Sequence, residues 1–191
     1  MAAAIGQCVA LWGSADNEIG IMFSQFLGTD SEATLEVFLI LRRSGNQLEA
    51  LETAAKYKLA GDEVTIFQAL KKLYSSLEKE RNYLAHGVYG VCDEQRDILF
   101  LIPIKDHVTF MADIVPRLTR GDEVADPHFK LKLKMFVWKL AELHELQEQM
   151  RDFIWGAMAF NAHLRERGSE STSSQLERAR NILLSLGALD E

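Results

Sequence analysis

The run FQALKKLYSSLEKERNYLAHG, Phe67–Gly87, decides the fold class. Within it Phe67, Leu70, Leu73, Tyr74, Leu77 and Leu84 recur at three- and four-residue spacing, the pattern of a helix with one buried stripe. Arg81 falls close to the middle of that stripe. A guanidinium among apolar neighbours needs an acid or a polar cleft, because stripping a buried charge of its partner costs about 3–5 kcal/mol. Asp16 is the acid expected to meet it, lying inside the apolar face of Cys8, Trp12, Ile19, Phe23 and Phe26, whereas Glu18 points more to the side.

The end of the run gathers the chemistry. Arg81-Asn82-Tyr83-Leu84-Ala85-His86-Gly87 places a guanidinium, a carboxamide and an imidazole within one and a half turns. Asn82 and His86, four apart, share a face, so the amide is positioned to bond the ring and fix its tautomer. Gly87 is expected to supply a left-handed helix stop. His86 then occupies the last turn, where the negative end of the helix dipole suits a cation. The structural alternative for the pair is an ion pair of Arg81 with Asp16 or Glu18, pinning the first helix to the third, and a helix-end His86 bonded to Asn82 or a carbonyl.

Working outward, helical periodicity predicts a first helix over Ile5–Leu27 stopped by Gly28, and a second over Glu32–Leu59, broken near Ser44-Gly45-Asn46. Gly61-Asp62 gives the stop and cap before a third helix, Glu63–His86. Val88–Val91 and Ile98–Ile104, flanking the polar turn Asp93–Arg96, predict a hairpin. Phe129–Met135 alternates apolar residues with lysines and reads as a strand pairing with it. Between them Asp106–Arg120 is ambiguous, since Pro116 and Gly121 argue against one long helix. Leu140–Arg167 predicts a long closing helix, and Gln175–Leu186 a short amphipathic one that docks on a neighbour or on a partner subunit. The fold class expected is therefore mainly α, a helical bundle with a small antiparallel β-sheet inserted after the motif.

The 191 residues, 48% hydrophobic and 26% charged, suffice for one sizeable core. The expected organisation is a helical domain over 1–168, with the β insertion at about 88–138, and a linker with a short helix over 169–191. The N-terminal residues lack a basic region and a long apolar core, and no stretch of about 18 apolar residues follows, so a cytoplasmic protein with no membrane contact is expected. Cys8 and Cys92 lack CxxC spacing and read as buried structural thiols. His107, His128, His144 and His163 show no ligand spacing with one another and are expected at the surface; neither a metal nor a cofactor is implied.

A formal charge of −7 argues against wholesale attraction to nucleic acid. A local basic groove remains compatible with it, built from Arg42-Arg43, Lys71-Lys72 or the row Lys130, Lys132, Lys134 and Lys139, although such a row more often makes a solvated sheet face. Trp12, Trp138 and Trp155 read as core or interface residues on apolar stripes.

Arg81-Asn82-Tyr83-Leu84-Ala85-His86-Gly87 resembles the Arg, polar residue, three variable residues, His signature of the HEPN superfamily, helical domains of prokaryotic toxins, defence proteins and RNA-processing enzymes. The resemblance spans seven residues closely and the helical organisation of about half the chain loosely. It implies a homodimer in which two motifs face each other and cut RNA without metal, leaving a cyclic phosphate and a 5′-hydroxyl. It casts His86 as general base or acid, Arg81 as the stabiliser of the charged phosphorane, and Asn82 as the group orienting the imidazole or a phosphate oxygen. An antitoxin partner in a toxin–antitoxin or defence system is implied with it. The hairpin, the further strand and the C-terminal helix depart from the minimal family bundle. The alternative function is a non-catalytic nucleotide-sensing or protein-interaction dimer in which the motif is structural.

Overall fold

The computed structural model describes residues 1–29, 32–41, 44–92, 95–120, 136–167 and 172–189. Among the described residues seven helices and three strands run, in chain order, α1 (Ala2–Leu27), α2 (Glu32–Ile40), α3 (Ser44–Lys58), α4 (Asp62–His86), β1 (Gly87–Cys92), β2 (Gln95–Pro103), α5 (Ile104–Thr119), β3 (Phe136–Lys139), α6 (Leu140–Arg165) and α7 (Thr172–Ser185). The expected class holds: the described chain is mainly α, with a small antiparallel sheet following the motif directly. No described helix is long and apolar enough to cross a membrane.

The chain forms two compact units. One comprises Met1–Val9 and Lys79–Glu145, the other Ala10–Glu78 and Leu146–Glu191.

In the first unit β2 is the central strand, flanked by β1 and β3, antiparallel to both. Leu99 and Leu101 alternate with partly exposed neighbours and are buried, so the strand shows the period of two that a one-sided sheet requires. Leu101 pairs with Tyr89 on one side and Phe136 on the other. The lysine-rich segment Phe129–Met135 lies outside the described residues; the strand that pairs with β2 is the one immediately after it, whose Val137 and Lys139 are exposed. The Lys139 N–H donates to Glu142 Oε2 at 2.7 Å, a capping bond that starts α6. Cys8 is buried with its thiol 3.7 Å from the Leu143 carbonyl, and the Cys92 side chain is outside the described residues.

Two expectations are corrected in this unit. Ile104–Thr119 is a single helix despite Pro116. Pro116 sits in its last turns, where the N–H it lacks removes one bond only, and its own carbonyl accepts from both the Arg120 amide and Nε. Gly87 does not adopt a left-handed stop, positive φ among the described residues being confined to Gly28, Gly61 and Gly187. The chain passes straight from helix to strand there, and glycine is needed for space: a Cβ on Gly87 would lie 2.5 Å from Leu101 Cγ and Cδ2.

The second unit packs the longer helical segments around an aromatic centre. Trp12 and Tyr74 rings lie 4.7 Å apart, Tyr74 and Phe153 5.8 Å, and Phe26 and Phe67 5.5 Å in an edge-to-face pair. Gly28, at φ 70°, ends α1 as the periodicity predicts, and Gly61, at φ 55°, precedes α4. The predicted break in the second helix falls before Ser44, which opens α3. α7 docks on its own chain through fully buried Ala179 and Leu183 and an Arg180–Asp62 ion pair of 2.9 Å.

His163 is the clearest departure in this unit. Expected at the surface, it is 6% exposed, with its Nε2 2.8 Å from Glu63 Oε1 and its ring stacked near Phe160. Glu63 stands in the first turn of α4, accepts from the Ala60 N–H at 3.2 Å and pairs with Arg167 at 2.9 Å. A partner 100 residues away converts a helix-surface position into a satisfied interior one. His144 is exposed, His107 half-buried, and His128 lies outside the described residues.

Candidate functional site

The last turns of α4 carry the motif, within the first unit. Leu84 is fully buried and fixes the rotation of the helix, so residues one turn away on either side are set by packing rather than by chance. Arg81 lies three residues before Leu84 on that stripe. It is half-buried, with its Nε shielded from solvent. Asn82 is half-buried as well, while His86 is exposed. The motif therefore grades, over six residues, from a half-buried cation to an exposed imidazole.

Three contacts hold this helix end. Tyr83 packs against Phe136, the rings tilted by 36° with centroids 4.5 Å apart, joining the motif to β3. The Tyr89 hydroxyl donates to the Leu84 carbonyl, so a strand residue satisfies one of the acceptors that a helix C-terminus leaves over. Burial pushes the Tyr89 phenol above its ordinary value. The third is the close approach of Gly87 and Leu101. Together they make the exit from α4 a rigid corner, and His86 is the residue at that corner.

Among the described residues no hydrogen bond joins Asn82 to His86. An exposed ring at a helix end is hydrated, so the i,i+4 spacing that permits such a bond does not enforce it. Within the second unit Asp16 Oδ1 accepts from the Tyr74 hydroxyl at 2.6 Å, and Glu18 Oε2 from Asn161 Nδ2 at 2.9 Å. Asn161 Nδ2 also reaches the Glu18 carbonyl at 3.0 Å. Burial pushes the Glu18 carboxyl above its ordinary value of 4.5, against the opposing Asn161 bond and the Arg165 charge.

No family model, no curated protein and no solved structure matches the chain. The resemblance to HEPN proteins is thus carried by the motif and the helical organisation alone.

Of the lysine row, only Lys139 lies within the described residues, exposed at the end of β3. Lys71 pairs with Glu52 at 3.1 Å and is engaged in the second unit. Among the described residues no group of three His, Cys, Asp or Glu side chains converges as metal ligands do. Of the tryptophans expected in the core or at an interface, Trp12 is buried, whereas Trp155 is 52% exposed and is not a core residue of this chain. It stands two residues, about 200° of helix rotation, from the buried Phe153, on the far side of α6. That offset was the available signal for an exposed aromatic residue, and the tyrosine clamp at Leu84 had none.

Proposed function

We propose that this chain is an RNA-binding protein of HEPN type that cleaves RNA without metal, using His86, Arg81 and Asn82 at the exit of α4. The observation that carries the reading is the exposed imidazole of His86 at the helix–strand corner, about one and a half turns beyond a half-buried guanidinium on the same helix. Strand scission through the substrate's own 2′-hydroxyl needs only two services. A base removes the 2′-OH proton as that oxygen attacks phosphorus, and a cation stabilises the phosphorane while the 5′-oxygen departs and takes up a proton. His86 moves protons and Arg81 holds the charge. Asn82, not engaged with the ring, orients a phosphate oxygen.

The working form in this proposal is a homodimer presenting two motifs, one His86 acting as base and the other as acid, held in check by an antitoxin partner. The negative charge of the chain favours a delivered, specific substrate over indiscriminate RNA. The test is a pair of variants, His86→Ala and Arg81→Ala, assayed for RNA cleavage and for thermal stability. Cleavage lost with the His86→Ala melting temperature unchanged supports the enzyme. Cleavage unchanged in His86→Ala removes the proposed site, and no cleavage by the parent chain, with a sharp stability loss in Arg81→Ala and little in His86→Ala, supports the non-catalytic alternative, in which the motif braces the fold.

A further inference from the structure

α5, in the first unit, turns half of its apolar arc outward. Ile114 is buried and His107 and Phe110 are half-buried, so these three mark the inward side of the helix. About 100° around it, Ile104, Val108, Met111 and Val115 form a second apolar stripe, each residue between 40% and 60% exposed. Four large apolar residues in line differ from the singly scattered ones that a protein surface ordinarily carries. Among the described residues no other helix leaves four large apolar residues exposed at three- and four-residue spacing.

The spacing of the stripe indicates its occupant. Its residues follow one another at intervals of four, three and four, the pattern of a coiled-coil seam. At 100° per residue they span about 60° of the helix circumference. A helix that packs into a core carries a stripe about 100° wide or more, whereas a seam this narrow meets one other helix. That helix must expose the same spacing over the same length, and the described chain offers one, α5 of a second copy.

We infer that two copies of this chain associate through α5, the two helices running antiparallel about a two-fold axis. Ile104 then meets Val115 of the partner subunit, and Val108 meets Met111 of the partner subunit. Each layer sets a larger side chain against a smaller one, whereas a parallel pair sets like against like. The antiparallel arrangement opposes the helix dipoles and brings the exposed Lys105 to the C-terminal end of the partner helix, where the dipole is negative. Two four-residue seams bury an area at the low end of specific interfaces, below about 1,200 Å², so the dimer exchanges with monomer at a dissociation constant of about 1–100 μM. The contact supplies a surface for the homodimer proposed above and does not depend on RNA cleavage.

Sedimentation velocity of the full chain, from about 1 to 500 μM, should show the mass rising from one copy to two, with a melting temperature that rises alongside. Val108→Glu and Met111→Lys each put a charge into the seam and should weaken association about tenfold or more. Both positions are exposed in a single copy, so each variant should keep the melting temperature of the dilute parent. Mixing the two variants should restore association, because the antiparallel register sets the introduced acid against the introduced base. A parent that stays monomeric throughout, association unchanged in both variants, or mixed variants that remain apart overturns the interface. A monomeric parent whose melting temperature falls sharply in Val108→Glu shows the stripe covered within its own chain and equally overturns it. Mass decides this contact and cleavage decides the ribonuclease reading, so the two fail separately.

Discussion

Gly87 faces Leu101 so closely that a single added methyl group would stand 2.5 Å from two of its carbons. Leu101 is fully buried in the central strand, where an interior packed at close to crystal density leaves little space for its side chain to move into. The corner between α4 and β1, on which the position of His86 depends, is therefore a packing device.

Gly87→Ala should lower stability by about 1–3 kcal/mol, the cost of overfilling a packed interior. Leu101→Ala alone should cost about 2–5 kcal/mol through the cavity it leaves. Combined, the two should cost clearly less than their sum, because the new methyl group occupies the vacated space. Denaturant unfolding of the three variants checks this, and strict additivity would refute the contact.

The Glu63 carboxyl is pushed up by burial, but hydrogen bonds from His163 and the Ala60 N–H, with the charges of Arg167 and His163, outweigh this and hold it below its ordinary 4.5. A carboxylate lowered on folding stabilises the folded state above its unfolded value, and that contribution is lost as pH falls through the folded one. Glu63→Gln should cost about 1–3 kcal/mol at neutral pH through the weakened bonds. The gap to the parent protein should close as the pH falls below the ordinary carboxylate range. Melting curves across that range test the sign.

Glu18 obeys the opposite rule. Its carboxyl is raised, so folding favours the neutral form; the contribution is present below 4.5 and is lost as pH rises through the folded value. Glu18→Gln keeps an oxygen for Asn161 Nδ2 while removing the half-buried charge. Its melting temperature at neutral pH should equal or exceed that of the parent, with the advantage shrinking in acid. A clear loss of stability at neutral pH would show that the ionised form is needed.

The helices were legible because each buries one stripe: the spacing from Phe67 to Leu84, or from Leu140 to Leu164, needs no tertiary information. The hairpin was equally plain from its polar turn. What escaped the sequence depends on partners far along the chain. His163 reads as a surface residue until Glu63 is beside it, and Gly87 reads as a torsional stop until Leu101 fills its space. Pro116 suggested a break, yet near the end of α5 it removes only one bond. Trp155 could have been assigned to the outer face from its offset to Phe153. At the motif, spacing correctly placed Arg81 on the buried stripe and His86 at the helix end, but the hydration of the ring, which leaves Asn82 unattached to it, follows from exposure that spacing does not encode.

Incubation of RNA with the protein in EDTA, followed by mass analysis of the new ends, addresses the ribonuclease proposal most directly. The account predicts 2′,3′-cyclic phosphate and 5′-hydroxyl termini, formed about 10²–10⁴-fold more slowly by a His86→Ala protein of unchanged melting temperature. Cleavage that persists undiminished in folded His86→Ala, or no cleavage by the parent chain under these conditions, would contradict it.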